Sequence, residues 1–191
     1  MKYLRLKRIM DFILAIFFLV LLAPLILISY LLVRFTSPGP ALYWSDRYGK
    51  NNIIFKMPKF RTMQTNTPVV ATHLLQDPQQ HLTCIGGFLR KVSLDELPQL
   101  WSILKGDMSF VGPRPALFNQ IDLVDLRTQY GIQCLVPGLT GWAQINGRDD
   151  ISILEKVKYD FEYLKQISLN FDLKILALTF LKVLSLEGVS H

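Results

Sequence analysis

Cysteine, histidine and runs of like charge are all scarce in this chain, and each scarcity removes a class of proteins. The two cysteines, Cys84 and Cys134, form no spaced motif, which excludes a disulfide framework and a thiolate zinc site. Both read as small buried hydrophobes. His73, His81 and His191 stand in no motif, so none carries an assignment. No internal repeat and no low-complexity tract is present. The 21 Lys and Arg outnumber the 15 Asp and Glu, for a net charge of +6, but they are scattered rather than run together. That argues against a disordered basic tail and for a surface that meets anions. With no nucleic-acid motif and no contiguous basic stripe, no nucleic-acid partner is expected.

What is abundant is apolar residues, at 50% of the 191 positions. The excess is concentrated at the N-terminus. Ile9 to Val33 is broken only by Asp11, Pro24, Ser29 and Tyr30. As a straight helix it would be about 37 Å long, against a hydrocarbon core of about 30 Å. The run is too long for a secretory signal and no small-residue cleavage site follows it. Lys2, Arg5, Lys7 and Arg8 precede it, which predicts a cytoplasmic N-terminus. Arg34, Arg47, Lys50, Lys56, Lys59 and Arg61 follow it and argue equally for a cytoplasmic exit. A helix that bends at Pro24 and returns to the same face satisfies both flanks; an ordinary kinked spanning helix fits the composition as well. Asp11 would cost about 3 kcal/mol at the bilayer centre. One turn from the entrance, it is expected to pair with Lys7 or Arg8 at helical spacing.

Thr36-Ser37-Pro38-Gly39-Pro40 breaks the chain and sets a boundary between a membrane segment, 1–35, and a globular part, 36–191. Ala41 to Tyr48 and Ile53 to Phe60 read as two strands around the turn Gly49-Lys50-Asn51-Asn52. Residues 64 to 82 read as loop with short helix. Leu94 to Leu104 and Ala116 to Tyr130 are predicted helices, followed by a turn-rich stretch from Pro137 to Arg148. Ile151 to Ile167 and Leu173 to Leu186 close the chain as helices. On the last, Lys174, Lys182 and Ser185 form a narrow polar stripe, which suits either an interfacial helix or a core helix with one wet edge.

The densest chemical signal runs from Leu89 to Leu100. Ser93 and Glu96 have capping-box spacing, so Asp95-Glu96 reads in the first instance as a helix start. The same position keeps a carboxylate ionised, as a nucleophile requires. Adjacent helical side chains diverge by about 100°, so the pair cannot flank one bond as opposed glycosidase carboxylates do. One can attack while the other handles a proton or a metal. An anionic nucleophile meeting a phosphate needs cations nearby. Lys59, Arg61, Arg90, Arg114 between two prolines, and Arg148 are the candidates.

These residues resemble the bacterial sugar transferases, the monotopic phosphoglycosyl transferases in their short form. The resemblance rests on Lys59-Phe60-Arg61-Thr62-Met63, on Leu89-Arg90, and on Ser93-Leu94-Asp95-Glu96-Leu97-Pro98-Gln99-Leu100. It continues through Leu104-Lys105-Gly106-Asp107-Met108-Ser109, Val111-Gly112-Pro113-Arg114-Pro115, Pro137-Gly138-Leu139-Thr140-Gly141 and Gln144-Ile145-Asn146-Gly147-Arg148. It implies an α+β, mostly helical fold with a re-entrant helix kinked at Pro24, a small β-hairpin and interfacial amphipathic helices. It further implies that Asp95 attacks the sugar-bearing phosphate of a UDP-sugar, releasing UMP, and that undecaprenyl phosphate then takes the phosphosugar. Glu96 would assist with a proton or the metal, and Mg²⁺ at Asp95 would screen charge. Lys59, Arg61, Arg90 and Arg114 would bind phosphate, and Arg148 would lie on the nucleotide side. The implied location is the cytoplasmic face of the bacterial inner membrane, and the implied sugar is an N-acetylated, modified hexose. The family often has serine before the kink proline; Ala23 stands there in this chain. The competing reading is a non-enzymatic, membrane-anchored interaction protein.

Overall fold

The computed structural model describes residues 2–68, 77–147 and 151–185. Its first two helices, α1 (Lys2–Leu21) and α2 (Ala23–Thr36), are bent against each other by 64°. Pro24 stands in the first turn of α2, and the break falls at Leu22, whose ψ of 3° leaves the helical range. A proline there cannot donate to Val20, so the ladder lacks one of the bonds that would hold the two legs straight. No single described helix is long and apolar enough to cross a membrane, whereas the bent pair together has the length and composition.

The first leg is not a free tether. Ala15 of α1 is fully buried in the main core, together with Leu100, Ile103, Phe110, Ile132, Val157, Tyr163 and Ile175. Val33 of α2 instead joins a smaller cluster with Ala41, Phe60 and Leu89. The outer faces are bare: Ile9, Ile13, Phe17 and Val20 on α1, and Leu27, Ile28 and Phe35 on α2, are exposed.

Beyond the Thr36–Pro40 breaker lies the predicted hairpin, β1 (Leu42–Tyr48) antiparallel to β2 (Ile54–Phe60), in register from Leu42↔Phe60 to Tyr48↔Ile54. Asn51 and Asn52 turn it at φ of 55° and 59°, a region asparagine tolerates. Pro58 is accommodated because a two-stranded ribbon consists of edge strands. A 3₁₀ turn (Pro78–His81) precedes α3 (Gly86–Lys91), an element the sequence reading did not contain. The expected helix from Leu94 to Leu104 is divided at Pro98 into a 3₁₀ turn, Leu94–Glu96, and α4, Gln99–Lys105, which Gly106 ends at φ 98°.

Two three-residue strands, β3 (Ser109–Val111) and β4 (Gly138–Thr140), pair in parallel. The chain returns between them through α5 (Ile121–Gln129) and a 3₁₀ turn, Ile132–Cys134. A Cβ on Gly138 would lie 2.1 Å from the Gly112 nitrogen, so this close approach requires glycine. The helix expected from Ala116 is shorter than predicted, because Ala116 and Leu117 are drawn onto the hairpin. The Ala116 carbonyl accepts from the Tyr48 N–H at 2.9 Å, and Leu117 bridges to Arg47. The turn-rich stretch holds β4 and then α6 (Trp142–Asn146). α7 (Ile153–Gln166) and α8 (Leu169–Ser185) close the fold, the former started by a Ser152–Glu155 capping box.

Three expectations change. Cys84 and Cys134 are exposed, not buried. Asp11 pairs with neither Lys7 nor Arg8. Its buried carboxylate accepts the Phe110 N–H at 3.2 Å, while Lys7 binds Asp172 at 2.6 Å and Arg8 donates to the carbonyls of Ile103 and Leu104 at 2.6 and 2.7 Å. Arg8 thus adds charge-assisted bonds to carbonyls at the end of α4, where that of Ile103 also accepts the Gly106 N–H at 3.1 Å. On α8 the polar stripe meets α6: Lys182 donates to the Ile145 carbonyl, and the Lys174 ammonium sits 5.3 Å from the centre of the Trp142 ring. The exposed face of α8 carries Leu173, Phe180 and Leu181.

Candidate active site

The site begins with a turn that reverses the chain between α3 and α4. Ser93 adopts φ 56°, left-handed backbone that costs on the order of 1 kcal/mol for a residue other than glycine. Its side chain makes no capping bond, so the anticipated Ser93–Glu96 capping box is not formed. The 3₁₀ turn that follows projects Asp95 and Glu96 differently. Glu96 Oε1 accepts from Lys59 Nζ at 2.7 Å and from Arg114 Nη2 at 3.3 Å. Asp95 is 7% exposed, and among the described residues its carboxylate forms no hydrogen bond or ion pair.

Four elements converge here. Lys59 comes from β2, Arg90 from α3, the carboxylates from the 3₁₀ turn, and Arg114 from the loop after β3. Arg90 Nε donates to Thr62 Oγ1 at 2.9 Å, which leaves the outer arms of its fork clear of that bond. Burial lowers its proton affinity while Asp95 and Glu96 raise it.

The electrostatics separate the two acids. Burial is the largest influence on Asp95 and pushes it up to about 6; Lys59 opposes, Glu96 adds to the rise, and Arg90 and Arg114 oppose. Burial would raise Glu96 too, but Lys59 and Arg114 outweigh it and hold that carboxyl well below the usual range. Near neutral pH both are therefore ionised, Glu96 as the anchor of two cations and Asp95 as a bare carboxylate among positive charge.

The Arg114 loop is fixed from three sides. Pro113 and Pro115 have no N–H, so at these two positions the backbone can be held only through its carbonyls. Gly138 N–H donates to the Pro113 carbonyl at 2.9 Å, Arg127 Nη1 to that of Arg114 at 2.8 Å, and Arg47 Nη1 to that of Pro115 at 3.1 Å. Arg127 is in turn held by Asp160. Sequence reasoning missed Arg47, Arg127 and Asp160. The cue available was a lone arginine and a lone aspartate on helices that otherwise alternate apolar and polar residues.

Arg61 takes another place than the one expected. Its guanidinium donates to the carbonyls of Ser37 and Pro38 and to Ser37 Oγ, beyond the end of α2. It holds the exit of the bent helix instead of joining the cations around Asp95. Arg148 lies outside the described residues.

Among the described residues no three His, Cys, Asp or Glu side chains gather into a cage for a metal. The turn offers one bare carboxylate, Asp95, and the Glu96 oxygen that takes neither cation. That sparse oxygen set fits Mg²⁺, which keeps waters and completes its octahedron with substrate phosphates.

A buried carboxylate ringed by cations thus stands on the same fold as a bent helix pair with exposed apolar faces. The sequence belongs to the bacterial sugar transferase family, which it matches over residues 2–186. It is 42% identical over 186 residues to the UDP-glucose:undecaprenyl-phosphate glucose-1-phosphate transferase of Escherichia coli, a match covering 93% of this chain and 40% of that protein. It is 36% identical over 190 residues to the UDP-N-acetylgalactosamine-undecaprenyl-phosphate N-acetylgalactosaminephosphotransferase of Aeromonas hydrophila, covering 96% and 44%. An uncharacterized sugar transferase of Bacillus subtilis is 43% identical over 186 residues, covering 97% and 91%. The chain thus spans less than half the length of the first two relatives and nearly all of the third.

Proposed function

We propose that this protein transfers a sugar 1-phosphate from a UDP-sugar to undecaprenyl phosphate through a covalent phosphosugar on Asp95. The observation that carries the reading is the contrast within one turn: Glu96 is occupied by Lys59 and Arg114, while Asp95 is buried, ionised near neutral pH and bonded to nothing among the described residues. The names of the relatives, with glucose and N-acetylgalactosamine as the transferred sugars, support the same reaction class.

In the first half-reaction a carboxylate oxygen of Asp95 forms a bond to the sugar-bearing phosphorus. The bond from that phosphorus to the bridging oxygen breaks, and UMP leaves with the electron pair. In the second, a phosphate oxygen of the acceptor attacks the same phosphorus and Asp95 departs as carboxylate. Neither leaving group needs a proton at neutral pH, so Glu96 serves as the anchor that orients Lys59 and Arg114 toward the phosphates. Arg90, which lies close enough to Asp95 to favour its ionised form, adds positive charge. Mg²⁺ held by Asp95 would offset the negative charge of the diphosphate and its developing leaving group.

The bent helix supplies the place of reaction. Its exposed apolar legs, basic residues on both flanks and 64° bend suit a re-entrant insertion into the cytoplasmic leaflet, with the catalytic part on that face. Exposed Phe88, Trp101, Phe180 and Leu181 extend the apolar surface.

The test is UMP release by purified protein from UDP-glucose, UDP-galactose, UDP-N-acetylgalactosamine and UDP-diacetylbacillosamine with undecaprenyl phosphate and Mg²⁺. Turnover with one donor, and a radiolabelled adduct at Asp95 that the acceptor discharges, is the expected result. Turnover that survives Asp95→Asn refutes the mechanism. Cysteines placed on either side of the bent helix should both label from the cytoplasm; labelling from opposite sides refutes the insertion.

A further inference from the structure

A charged relay reaches the active site from beneath. Asp160 of α7, 1% exposed, accepts two hydrogen bonds on one oxygen from Arg127 of α5, from Nε at 2.9 Å and Nη2 at 2.6 Å. The third arm, Nη1, donates to the Arg114 carbonyl at 2.8 Å. On the same residue the Arg114 side chain extends to Glu96 Oε1. We propose that Arg127, oriented by Asp160, is a positioning residue that sets Arg114 for the substrate phosphate. The inference rests on the reading of Arg114 as a phosphate ligand.

Three physical points carry it. Flanking prolines fix φ on either side of Arg114 but supply no donor, so the grip on its carbonyl is one handle that places the residue from its backbone, as Glu96 does from its tip. Of the three carbonyl contacts, Arg127 alone grips Arg114. Next, a guanidinium is a rigid planar fork; with two arms taken by Asp160, the direction of the third is settled, which a lysine could not reproduce. Finally, a buried ion pair is a poor device for stability alone, since well-packed apolar side chains serve as well. Apolar side chains could not, however, donate to the Arg114 carbonyl.

The experiment is a double-mutant cycle on the full chain in detergent, with whichever donor of the four supports turnover, and with Tm measured for each variant. Arg127→Lys is expected to lower kcat/KM by about a hundredfold, the effect of misplacing a binding group by roughly 1 Å. In an Arg114→Ala background the same change should cost less than about threefold, because the group it positions is gone. Equal losses in both backgrounds, or an unimpaired Arg127→Lys, overturn the proposal. If Arg127→Lys does not fold, Asp160→Asn, which keeps the shape and removes the charge, enters the same cycle with the same two criteria. Asp95→Asn is measured alongside: its full activity would overturn the underlying mechanism, whereas its inactivity with equal losses in the cycle overturns only the role of Arg127.

Discussion

Asp172 and Asp95 are buried to similar degrees, 4% and 7% exposed, and they sit in opposite chemical circumstances. Around Asp172 every neighbour donates. Tyr3 reaches Oδ2 at 2.5 Å, Lys7 the same oxygen at 2.6 Å, and Tyr163 the other oxygen at 2.7 Å. The three donors come from α1 and α7, so this carboxylate locks the base of the bent helix to the closing helices. Around Asp95 there are charges but, among the described residues, no hydrogen bond or ion pair. A satisfied buried carboxylate holds structure together, and an unsatisfied one is costly unless it has work to do. The contrast sets an acid bonded into the structure against the one proposed as the nucleophile.

The sharpest way to break this contrast is Asp95→Asn. It should lower kcat by about 10⁴-fold, as removal of a catalytic carboxylate does, with no loss of Tm, because among the described residues no hydrogen bond depends on the carboxylate; UMP release and thermal unfolding together check it. Asp172→Asn should do the reverse. Leaving Lys7 buried without its anion should cost about 3 kcal/mol of stability, read by thermal unfolding in detergent, with kcat per folded molecule little changed. Lys59→Met should lower kcat/KM by about a hundredfold through lost charge stabilisation. It should also move the acid limb of the pH profile. Asp95 is pushed up to about 6 and Lys59 pulls it down, so activity is present above about 6, falls as pH drops through it, and begins to fall at higher pH in the variant. Tyr163→Phe removes one donor from Asp172 and should cost about 1 kcal/mol, with kinetics unaltered.

How much of this was visible beforehand depended on the range of the interactions. The hairpin was legible because its alternation and its Gly49–Asn52 turn are local. The bend at Pro24 and a helical turn at Asp95-Glu96 were legible for the same reason. The β3–β4 pairing was not, because each strand is three residues long and its partner lies on the far side of α5. Arg61 was misplaced because its motif names the residue type and says nothing of where the fork points; α2 ends within its reach and claims it. Asp11 was assigned to Lys7 or Arg8 by helical spacing, but tertiary partners took all three. The capping box failed at Ser93, whose left-handed φ turns the chain before the turn begins. Arg127 and Asp160 were invisible because 33 residues separate them and neither belongs to a motif.

The loop from Pro113 to Pro115 has one more property. Of its three residues only Arg114 carries a backbone N–H, and peptide oxygens ordinarily repel a polyanion. All three of those oxygens are turned onto donors of the protein itself. A phosphate bound at Arg114, as proposed, would therefore meet peptide oxygens whose negative poles are already taken up by donors of the protein.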